Sequence, residues 1–260
     1  MNKKLESAKG LYLEGIRDGK VREAVTQYTG DRFIQHAADI KDGVEGFVEF
    51  YQPFVKRYAS RNIRFIRSIV DGQYVFLHLT QTLNEGSEKW VTASLFDTDS
   101  RDKLIEQWSV TQEYVEQTAS GRTMVDGPTE IEDLDKTEEN KALIKQFCQD
   151  ILIDGKADTV TNFVSSTQYD QHNPTVEDGL EGLFKHLQEF KEQGITAKYV
   201  KVHHIIGQGN FVVALSHTMQ NDDNWCFFDL FRLKDGKIVE HWDIQEKIQP
   251  EDKWVNSGKF

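Results

Sequence analysis

Residues 228–243 form the segment FDLFRLKDGKIVEHWD. It is rich in β-branched and aromatic residues at a period of two, and Asp235-Gly236 at its centre is typical of a tight hairpin turn. The stretch therefore predicts two long antiparallel strands. Turn-forming residues at 207–210 and 221–224 separate two further runs of the same kind upstream. We predict a meander of four strands over residues 197–206, 211–219, 225–234 and 237–248.

The chain contains the same arrangement twice. Three short motifs of the first half recur in the second half at one constant offset of 136 residues. They are Asp18-Gly19-Lys20 with Asp154-Gly155-Lys156, Gln35-His36 with Gln171-His172, and Asp42-Gly43-x-Glu45-Gly46 with Asp178-Gly179-x-Glu181-Gly182. Three motifs that recur at one offset over this length do not arise by chance, so the sequence indicates the duplication of a whole domain.

Each copy begins with helical patterns and ends with strands. The Asp-Gly-x-Glu-Gly motif is expected to begin a long helix, at 44–58 in the first copy and 180–193 in the second. First-copy strands are expected over residues 63–70, 73–83, 89–97 and 103–115. This order predicts an α+β fold in which helices cover one face of a curved antiparallel sheet, giving two tandem cone-shaped barrels with apolar interiors.

The predicted domains are residues 1–116 and 137–260, joined by an exposed acidic linker over 117–136. We expect the two copies to pack as an intrachain pseudo-dimer, and a homodimer is left open. The net charge of -12 argues against nucleic acid and membrane as partners. No signal peptide or membrane span is apparent, and Cys148 and Cys226 suggest buried free thiols, so we expect a cytoplasmic protein.

The strand pair at 228–243 resembles the signature of the SnoaL-like proteins, relatives of polyketide cyclases. The segment Tyr169-Asp170-Gln171-His172-Asn173-Pro174, followed by Asp178-Gly179-x-Glu181-Gly182, is similar to the same family's entry to its second helix. The resemblance spans residues 138–250 and is weaker in the first half. It implies a nuclear-transport-factor-2-like, or cystatin-like, fold. That superfamily hosts isomerases, cyclases, epoxide hydrolases and non-enzymatic binding proteins, so fold alone does not decide the function.

Alternation along the strands sorts the candidate site residues. His241 and Asp243 share one face of their strand, and Trp242 lies on the other. Asp229 falls where the ketosteroid isomerases place a carboxyl group inside the cone, and this likeness implies that its face points inward. The predicted catalytic residues are Asp229, His241, Asp243 and His217, and the predicted substrate-binding residues are His172, Asn173, Phe227, Phe231 and Trp242. The aspartates would act as base or acid, His241 and His217 would orient or polarise, and His172 would line the entrance.

Structural explanations stay open for several of these residues. Asp229 could pair with Arg232 or cap a turn, and His241 with Asp243 could be a solvated pair at a strand end. His172 could serve only to hydrogen-bond backbone where the chain turns. The aromatic residues could be core or pocket wall. The neighbours His203 and His204 should face opposite ways, so at most one should reach a cavity.

The first copy provides an internal comparison. Its counterparts of Asp229, His241, Asp243 and His217 are Ser94, Gln107, Ser109 and Thr80, whereas His36 and Trp108 persist. Titratable side chains have thus been lost and scaffold side chains kept. The difference favours a chemical role for the second copy, with the first as a structural partner or a binder of something neutral.

An apolar pocket raises the pKa of a carboxyl group, and a nearby imidazolium lowers it, so such a set can supply an acid and a base. We predict acid/base catalysis on a small enolisable carbonyl compound, by aldol-type cyclisation or isomerisation, with no cofactor. No metal is expected, because neither His-x-His nor His-Glu-x-x-His occurs. The expected partner is a small apolar or carbonyl-containing ligand. The alternatives are a non-catalytic small-molecule-binding protein that uses the same cavity, and an interaction module in which the duplicated sheet only builds the pseudo-dimer.

Overall fold

A computed structural model describes residues 2–260, which form two compact units. One unit contains the residues up to Glu113 together with Ile248–Phe260, and the other is Tyr114–Lys247. The domain boundaries predicted from the sequence stay a prediction. The structure adds that the C-terminal segment Ile248–Phe260 belongs to the first unit.

The first unit places three helices before and beside a five-stranded sheet. Its elements are α1 (Lys3–Gly10), which continues as a π-helix (Leu11–Arg17), α2 (Val21–Tyr28), β1 (Thr29–Gln35), α3 (Gly43–Arg57), β2 (Arg61–Asp71), β3 (Tyr74–Leu83), β4 (Glu88–Thr98) and β5 (Leu104–Glu113). The strand order is β1-β5-β4-β3-β2. β1 runs parallel to β5, and the other neighbours are antiparallel.

The second unit repeats this topology. Its elements are α4 (Thr137–Phe147), which continues as a π-helix (Cys148–Ile153), a 3₁₀ helix (Ala157–Asn162), β6 (Asp170–Gln171), α5 (Gly179–Glu192), β7 (Ala197–Gln208), β8 (Phe211–Gln220), β9 (Asp223–Lys234) and β10 (Lys237–Lys247). The strand order is β6-β10-β9-β8-β7, with β6 parallel to β10. The predicted fold class, two tandem α+β domains, is confirmed. The parallel edge pair makes each sheet mixed rather than purely antiparallel.

The predicted strands of both meanders end within two residues of the observed ones. Asp235 and Gly236 both have positive φ, of 51° and 70°, as a two-residue hairpin turn of type I′ requires. The turn joins β9 to β10 and pairs Lys234 with Lys237, and a one-residue register shift between Ile238 and Glu240 then places Asp229 opposite Asp243. The turn and this bulge together determine which side chains meet in the middle of the sheet.

The repeated Asp-Gly-x-Glu-Gly motif has a structural explanation. In the second copy the Asp178 Oδ1 accepts a hydrogen bond from the backbone N–H of Gln171, at 2.9 Å. Gly179 adopts a φ of +76°, and a Cβ on Gly182 would lie 2.3 Å from the Glu177 carbonyl oxygen. Only glycine suits both places, because one needs a left-handed backbone and the other has no room for a side chain. The motif therefore anchors the start of α5 to β6.

The core of the second unit lies between α4 and the inner face of its sheet. Ile144 and Phe147 of the helix belong to one buried apolar cluster with Val212 and Phe231 of the strands. Burying a side chain of this size contributes about 1.5–3 kcal/mol. This packing fixes the helix over the strands that carry Asp229 and Asp243.

The segment over 117–136 is only partly the exposed linker that its acidity predicted. Thr118, Met124 and Val125 are buried, and Arg122 binds Asp170 at 2.7 Å and also Asp178. Met124 and Val125 are apolar side chains that gain by leaving water, and Arg122 pairs with two carboxylates. The segment is therefore an integral part of the second unit. Among the helices of residues 2–260, none has both the length and the apolar character needed to cross a bilayer.

Candidate functional site

Asp229, His241 and Asp243 converge on the inner face of the second sheet. Asp229 of β9 lies directly opposite Asp243 of β10, and His241 precedes Asp243 by two residues on the same face. His241 Nε2 lies 3.2 Å from Asp229 Oδ1. Asp243 is only 5% exposed and the His241 side chain 13% exposed, so these two residues are not a solvated pair. Asp229 does not pair with Arg232, because the Arg232 guanidinium binds Glu240 at 2.7 Å instead.

Two further side chains complete the hydrogen bonds of this group. The Tyr199 hydroxyl donates to both oxygens of Asp229, at 3.3 Å each, and His241 Nδ1 lies 3.1 Å from Gln171 Oε1. His241 thus has an acceptor on each ring nitrogen, which favours its doubly protonated form. Sequence reasoning missed Gln171 and Tyr199 as site residues. The repeated Gln-His motif was a usable signal for Gln171, whereas nothing in the local pattern distinguished Tyr199.

Asp243 has one bound and one unsatisfied oxygen. Its Oδ2 accepts a hydrogen bond from Asn173 Nδ2 at 2.6 Å, and the Asn173 Oδ1 is held by Thr175. Its buried Oδ1 has no hydrogen-bond partner among residues 2–260. Burial, with a smaller contribution from the charge of Asp229, raises the Asp243 pKa from 3.8 to about 6, although His241 and Asn173 oppose the rise. A carboxylate with an unsatisfied oxygen and a pKa near neutrality suits a general base.

The pKa values of the neighbouring groups are also shifted. Burial lowers the pKa of His241, but the hydrogen bond to Asp229 and the charges of both aspartates outweigh it, so that the pKa ends above 6.5. Burial and the charge of Asp229 raise the Tyr199 pKa well above 10, which keeps its hydroxyl protonated. The group therefore combines an imidazole whose protonated form is favoured, a neutral donor and a weakly acidic carboxyl.

Of the predicted binding residues, Asn173, Phe227 and Phe231 lie at this group. Phe231 stacks on His241 with ring centroids 5.0 Å apart, and Phe227 lies 6.0 Å from Tyr199. The two phenylalanines supply the apolar wall that the burial of the aspartates requires.

His217 is not part of the group, contrary to the prediction. It lies opposite Cys226 on the neighbouring strand, whereas Asp229 lies opposite Ala214. Because side chains alternate along a strand, His217 projects from the other face of the sheet. There its Nε2 lies 2.8 Å from Asn224 Oδ1.

His172 and Trp242 also lie on the other face, and His172 does not line an entrance. His172 is wholly buried, stacks on Trp242 at 4.6 Å, and binds Glu240 Oε1 at 2.9 Å and the Thr123 carbonyl oxygen at 2.7 Å. The prediction failed because Trp242, the neighbour of Asp243 in β10, points to the opposite face of the sheet, and His172 stacks on Trp242 there. The counterparts in the first unit repeat the arrangement, since His36 stacks on Trp108 at 4.7 Å and binds Glu106 at 2.8 Å. A feature present in both copies is structural.

The first unit holds a neutral network where the second holds Asp229 and its neighbours. The Tyr12 hydroxyl lies 2.6 Å from Ser94 Oγ, and Gln35 Nε2 donates to Gln107 Oε1 at 3.3 Å. Tyr12 occupies the position of Cys148 at the 136-residue offset. Tyr12 of the first copy thus fills space that the smaller Cys148 leaves open in the second copy.

An open groove of about 1060 Å³ lies elsewhere in the second unit, and its lining does not include Asp229, His241 or Asp243. One wall is the helix from Glu138 to Ile153, and the other is β7 from Val200 to Ile205. Both His203 and His204 line it, contrary to the prediction from alternation. The register of β7 against β8 shifts between Val202 and His204, and this bulge breaks the alternation.

Among the described residues, one group of side chains lies close enough together to be considered as metal ligands: Asp229, His241 and Asp243. One ligand atom from each lies within 4.8 Å of the others. An ion that holds its ligands at about 2.0–2.2 Å needs ligand atoms within about 4.4 Å of each other. His241 would have to give up its contact with Asp229 or with Gln171 to bind such an ion through a ring nitrogen.

Residues 142–252 match the family model of the SnoaL-like polyketide cyclases. The resemblance stated from the sequence is confirmed for the second copy, which this match covers. A comparison with curated proteins gives no match.

Several solved structures resemble part of the chain. A candidate polyketide cyclase from Bacillus cereus is 19% identical, with 42% of this chain and 74% of that chain covered and a TM-score of 0.38. A candidate ketosteroid isomerase from Kribbella flavida is 14% identical, with 44% and 83% covered and a TM-score of 0.37. A Xanthomonas campestris protein with a cystatin-like fold is 19% identical, with 44% and 97% covered and a TM-score of 0.36.

Proposed function

We propose that the second unit catalyses proton transfer on a small enolisable carbonyl compound, leading to aldol-type cyclisation or isomerisation. The observation that carries the proposal is the unsatisfied, buried Oδ1 of Asp243, on the same strand face as His241. A base held close to a donor is what removal of a proton next to a carbonyl requires. General acid–base assistance of this kind contributes on the order of a hundred- to ten-thousand-fold in rate.

In this mechanism Asp243 is the base. Its Oδ1 takes the proton from the carbon next to the carbonyl, and the electron pair of the C–H bond becomes the enolate. The positive charge of His241 stabilises the oxygen that gains negative charge, and the Tyr199 hydroxyl stays bound to Asp229. The enolate carbon then attacks a second carbonyl of the same molecule, whose oxygen takes the proton back from Asp243 and becomes a hydroxyl. In the isomerisation, Asp243 returns the proton to a different carbon.

Asp229 acts differently from Asp243 because its oxygens are already engaged. It accepts hydrogen bonds from Tyr199 and His241, so it is a positioning residue that keeps the imidazole charged and oriented. Asn173 does the same for Asp243 by holding one oxygen and leaving the other for the substrate. The sequence-based proposal that either aspartate could be the base is thereby narrowed to Asp243.

The test is proton exchange followed by NMR in deuterated buffer, with a panel of neutral and charged small ketones. The wild-type protein should accelerate exchange at the carbon next to the carbonyl for at least one member, and Asp243→Asn should abolish the acceleration. Ser109→Ala, at the first-copy counterpart of Asp243, is the matched control and should leave the rate unchanged. Wild-type exchange by Asp243→Asn would refute the assignment of the base.

The second candidate is a non-catalytic protein that binds a small molecule in the same unit. The near-complete burial of Asp229 and Asp243, with most of their hydrogen bonds made internally, favours it. It predicts saturable binding of ketones with no exchange above the buffer rate across the panel.

A further inference from the structure

Besides Asp243 Oδ1, three buried polar atoms of the second unit form no hydrogen bond within residues 2–260. They are Ser216 Oγ, Thr218 Oγ1 and Trp225 Nε1. Ser216 is completely buried, and Thr218 is 3% exposed. Folded proteins seldom leave several buried polar groups without partners, because each such group lowers the stability. These atoms therefore indicate a partner that does not belong to the chain.

All three side chains lie on the inner face of the sheet, which also carries Asp229. Thr218 lies opposite Trp225 in the pairing of β8 with β9, and Ser216 lies opposite Phe227. This pairing has no register shift, so alternation places Trp225, Phe227 and Asp229 on one face of β9. Ser216, Thr218 and Trp225 thus form one group, the polar row, near the turn between β8 and β9.

Tyr199 shows how close the polar row is to the catalytic candidates. It lies opposite Thr218 in the pairing of β7 with β8, and its hydroxyl donates to both oxygens of Asp229. Asp229 in turn lies opposite Asp243. One tyrosine side chain is therefore long enough to reach from the strand beside the polar row to the aspartates. A small aromatic ketone has a similar length.

The second half of α5 leaves apolar side chains accessible at the same end of the unit. Phe184 and Leu187 are 43% and 47% exposed, although Leu183, one turn before Leu187, packs on the buried apolar cluster. The loop after α5 is held at the turn between β8 and β9, because Thr196 N donates to Asn221 Oδ1 at 3.0 Å. Apolar surface and unpartnered polar atoms thus occur together there.

The first copy satisfies the corresponding positions within the chain. The strand registers match Ser216 with Leu79, an apolar residue that needs no partner, and Thr218 with Gln81. Gln81 Nε2 donates to Thr92 Oγ1 at 2.9 Å. The unpartnered polar atoms of the row are therefore a feature of the second copy and not of the shared fold.

The long helix of the first copy differs in the same sense. The 136-residue offset matches Val48 and Tyr51 of α3 with Phe184 and Leu187 of α5. Both Val48 and Tyr51 pack on the core of the first unit. The accessible apolar surface beside the polar row is therefore specific to the copy that carries the titratable side chains.

The atoms of the polar row define the chemistry of the missing partner. An indole N–H only donates, so the partner of Trp225 Nε1 is an acceptor such as a carbonyl, ether or hydroxyl oxygen. The hydroxyls of Ser216 and Thr218 can donate to the same kind of oxygen. A neutral oxygen is favoured over a carboxylate, because Lys247, the cation opposite Trp225, already pairs with Asp223 at 2.7 Å.

We propose that the polar row is a second substrate-binding subsite, which holds a neutral oxygen at the end of the substrate away from the carbon that loses its proton. This inference rests on the proposed function of the same unit. The apolar middle of the substrate lies against Phe227, between the polar row and Asp243. The substrate class is thereby narrowed to enolisable ketones that carry a remote carbonyl, ether or hydroxyl oxygen.

The experiment compares three neutral ketones with one skeleton: benzylacetone, raspberry ketone and anisylacetone. Raspberry ketone adds a para hydroxyl to the ring of benzylacetone, and anisylacetone adds a para methoxy group. Binding to the full chain is measured by calorimetry, and proton exchange next to the carbonyl is measured by NMR in deuterated buffer. We expect both oxygen-bearing ketones to bind about tenfold more tightly than benzylacetone, because their oxygen satisfies buried donors.

Variants locate the effect at the polar row. Trp225→Phe removes the indole N–H and keeps an aromatic ring, so it should weaken both oxygen-bearing ketones about tenfold and leave benzylacetone unaffected. Trp90→Phe, at the first-copy counterpart of Trp225, is the matched control and should change no affinity. Thr218→Val replaces an unpartnered hydroxyl by a methyl group, so it should raise the urea midpoint of the ligand-free protein.

The competing explanation is that the polar row binds only water. In that case Thr218→Val should lower the urea midpoint and the three ketones should bind equally, and either result overturns the inference. Binding of none of the three also overturns it. Oxygen-dependent binding without exchange supports the polar row and refutes catalysis. Exchange that is equally fast for the three ketones and insensitive to Trp225→Phe refutes the subsite and leaves the proposed function standing.

Discussion

Replacing Asp243 by asparagine should stabilise the protein while it removes the proposed base. The folded state holds the Asp243 proton more tightly than the unfolded state, because its pKa is raised from 3.8 to about 6. The favourable contribution of this group is therefore present below about pH 4 and is lost as the pH rises through about 6. Above that range the folded protein contains a buried carboxylate that it holds at a disadvantage.

The magnitude follows from the pKa difference. At 1.36 kcal/mol for each pKa unit, a rise from 3.8 to about 6 amounts to about 3 kcal/mol. Asparagine is similar in shape and can still accept the hydrogen bond from Asn173. We therefore expect Asp243→Asn to raise the free energy of unfolding by up to about 3 kcal/mol near pH 8, and by almost nothing below about pH 4.

The assay is urea unfolding of the full chain at a series of pH values, with the midpoint and the slope compared between variants. Asp229→Asn is a comparison within the same group and should destabilise the protein, since it removes the charged partner of His241. Ser109→Ala in the first copy should give a difference that does not change with pH. A loss of stability in Asp243→Asn near pH 8, or a gain of equal size at all pH values, would refute the reasoning.

Three other predictions concern the same features. The rate of proton exchange on the ketone should rise with pH through an apparent pKa of about 6, as Asp243 loses its proton. A rate that does not change between about pH 5 and 8 would argue against Asp243 as the base. Cys148→Tyr copies Tyr12 into the second unit and adds a large ring at a buried position, so it should lower the free energy of unfolding by about 1–3 kcal/mol; an unchanged urea midpoint would contradict tight packing around Cys148. His172→Ala should lower the free energy of unfolding by about 3 kcal/mol in urea, because two hydrogen bonds and a ring stack are lost. His36→Ala should have the same effect in the first copy. The proton-exchange rate of folded His172→Ala should stay unchanged, and a lower rate would place His172 at the site.

The strands could be predicted from the sequence because their signals are local. Asp235-Gly236 determines a turn by its own backbone preferences, and period-two alternation follows from the geometry of a single strand. The same rule placed His241 and Asp243 on one face of β10. The duplication then supplied the second domain, since two copies that share turns and strand lengths must share a topology.

The errors arose where one strand's pattern does not determine its neighbours. The face of His217 depends on the register of β8 against β9, which alternation within β8 does not reveal. A bulge in β7 brought both His203 and His204 to the groove, because the extra residue cancels the alternation. His172 was assigned to the site from its neighbour Asn173, but consecutive residues at a strand end point to opposite faces. The Tyr199 hydroxyl reaches Asp229 across β8, a contact between residues 30 apart that no motif encodes.

The path of the chain after β5 and after β10 determines how the protein can be divided into separately expressed units. Residues from Tyr114 onward complete the second unit, and Ile248–Phe260 completes the first. A fragment cut at residue 137 would lack the Asp126 carbonyl oxygen that accepts the Trp242 indole hydrogen bond, and it would carry a tail that belongs elsewhere. A stable second unit should instead be expressed as residues 114–247. The first unit requires a gene that joins residues 1–113 directly to residues 248–260.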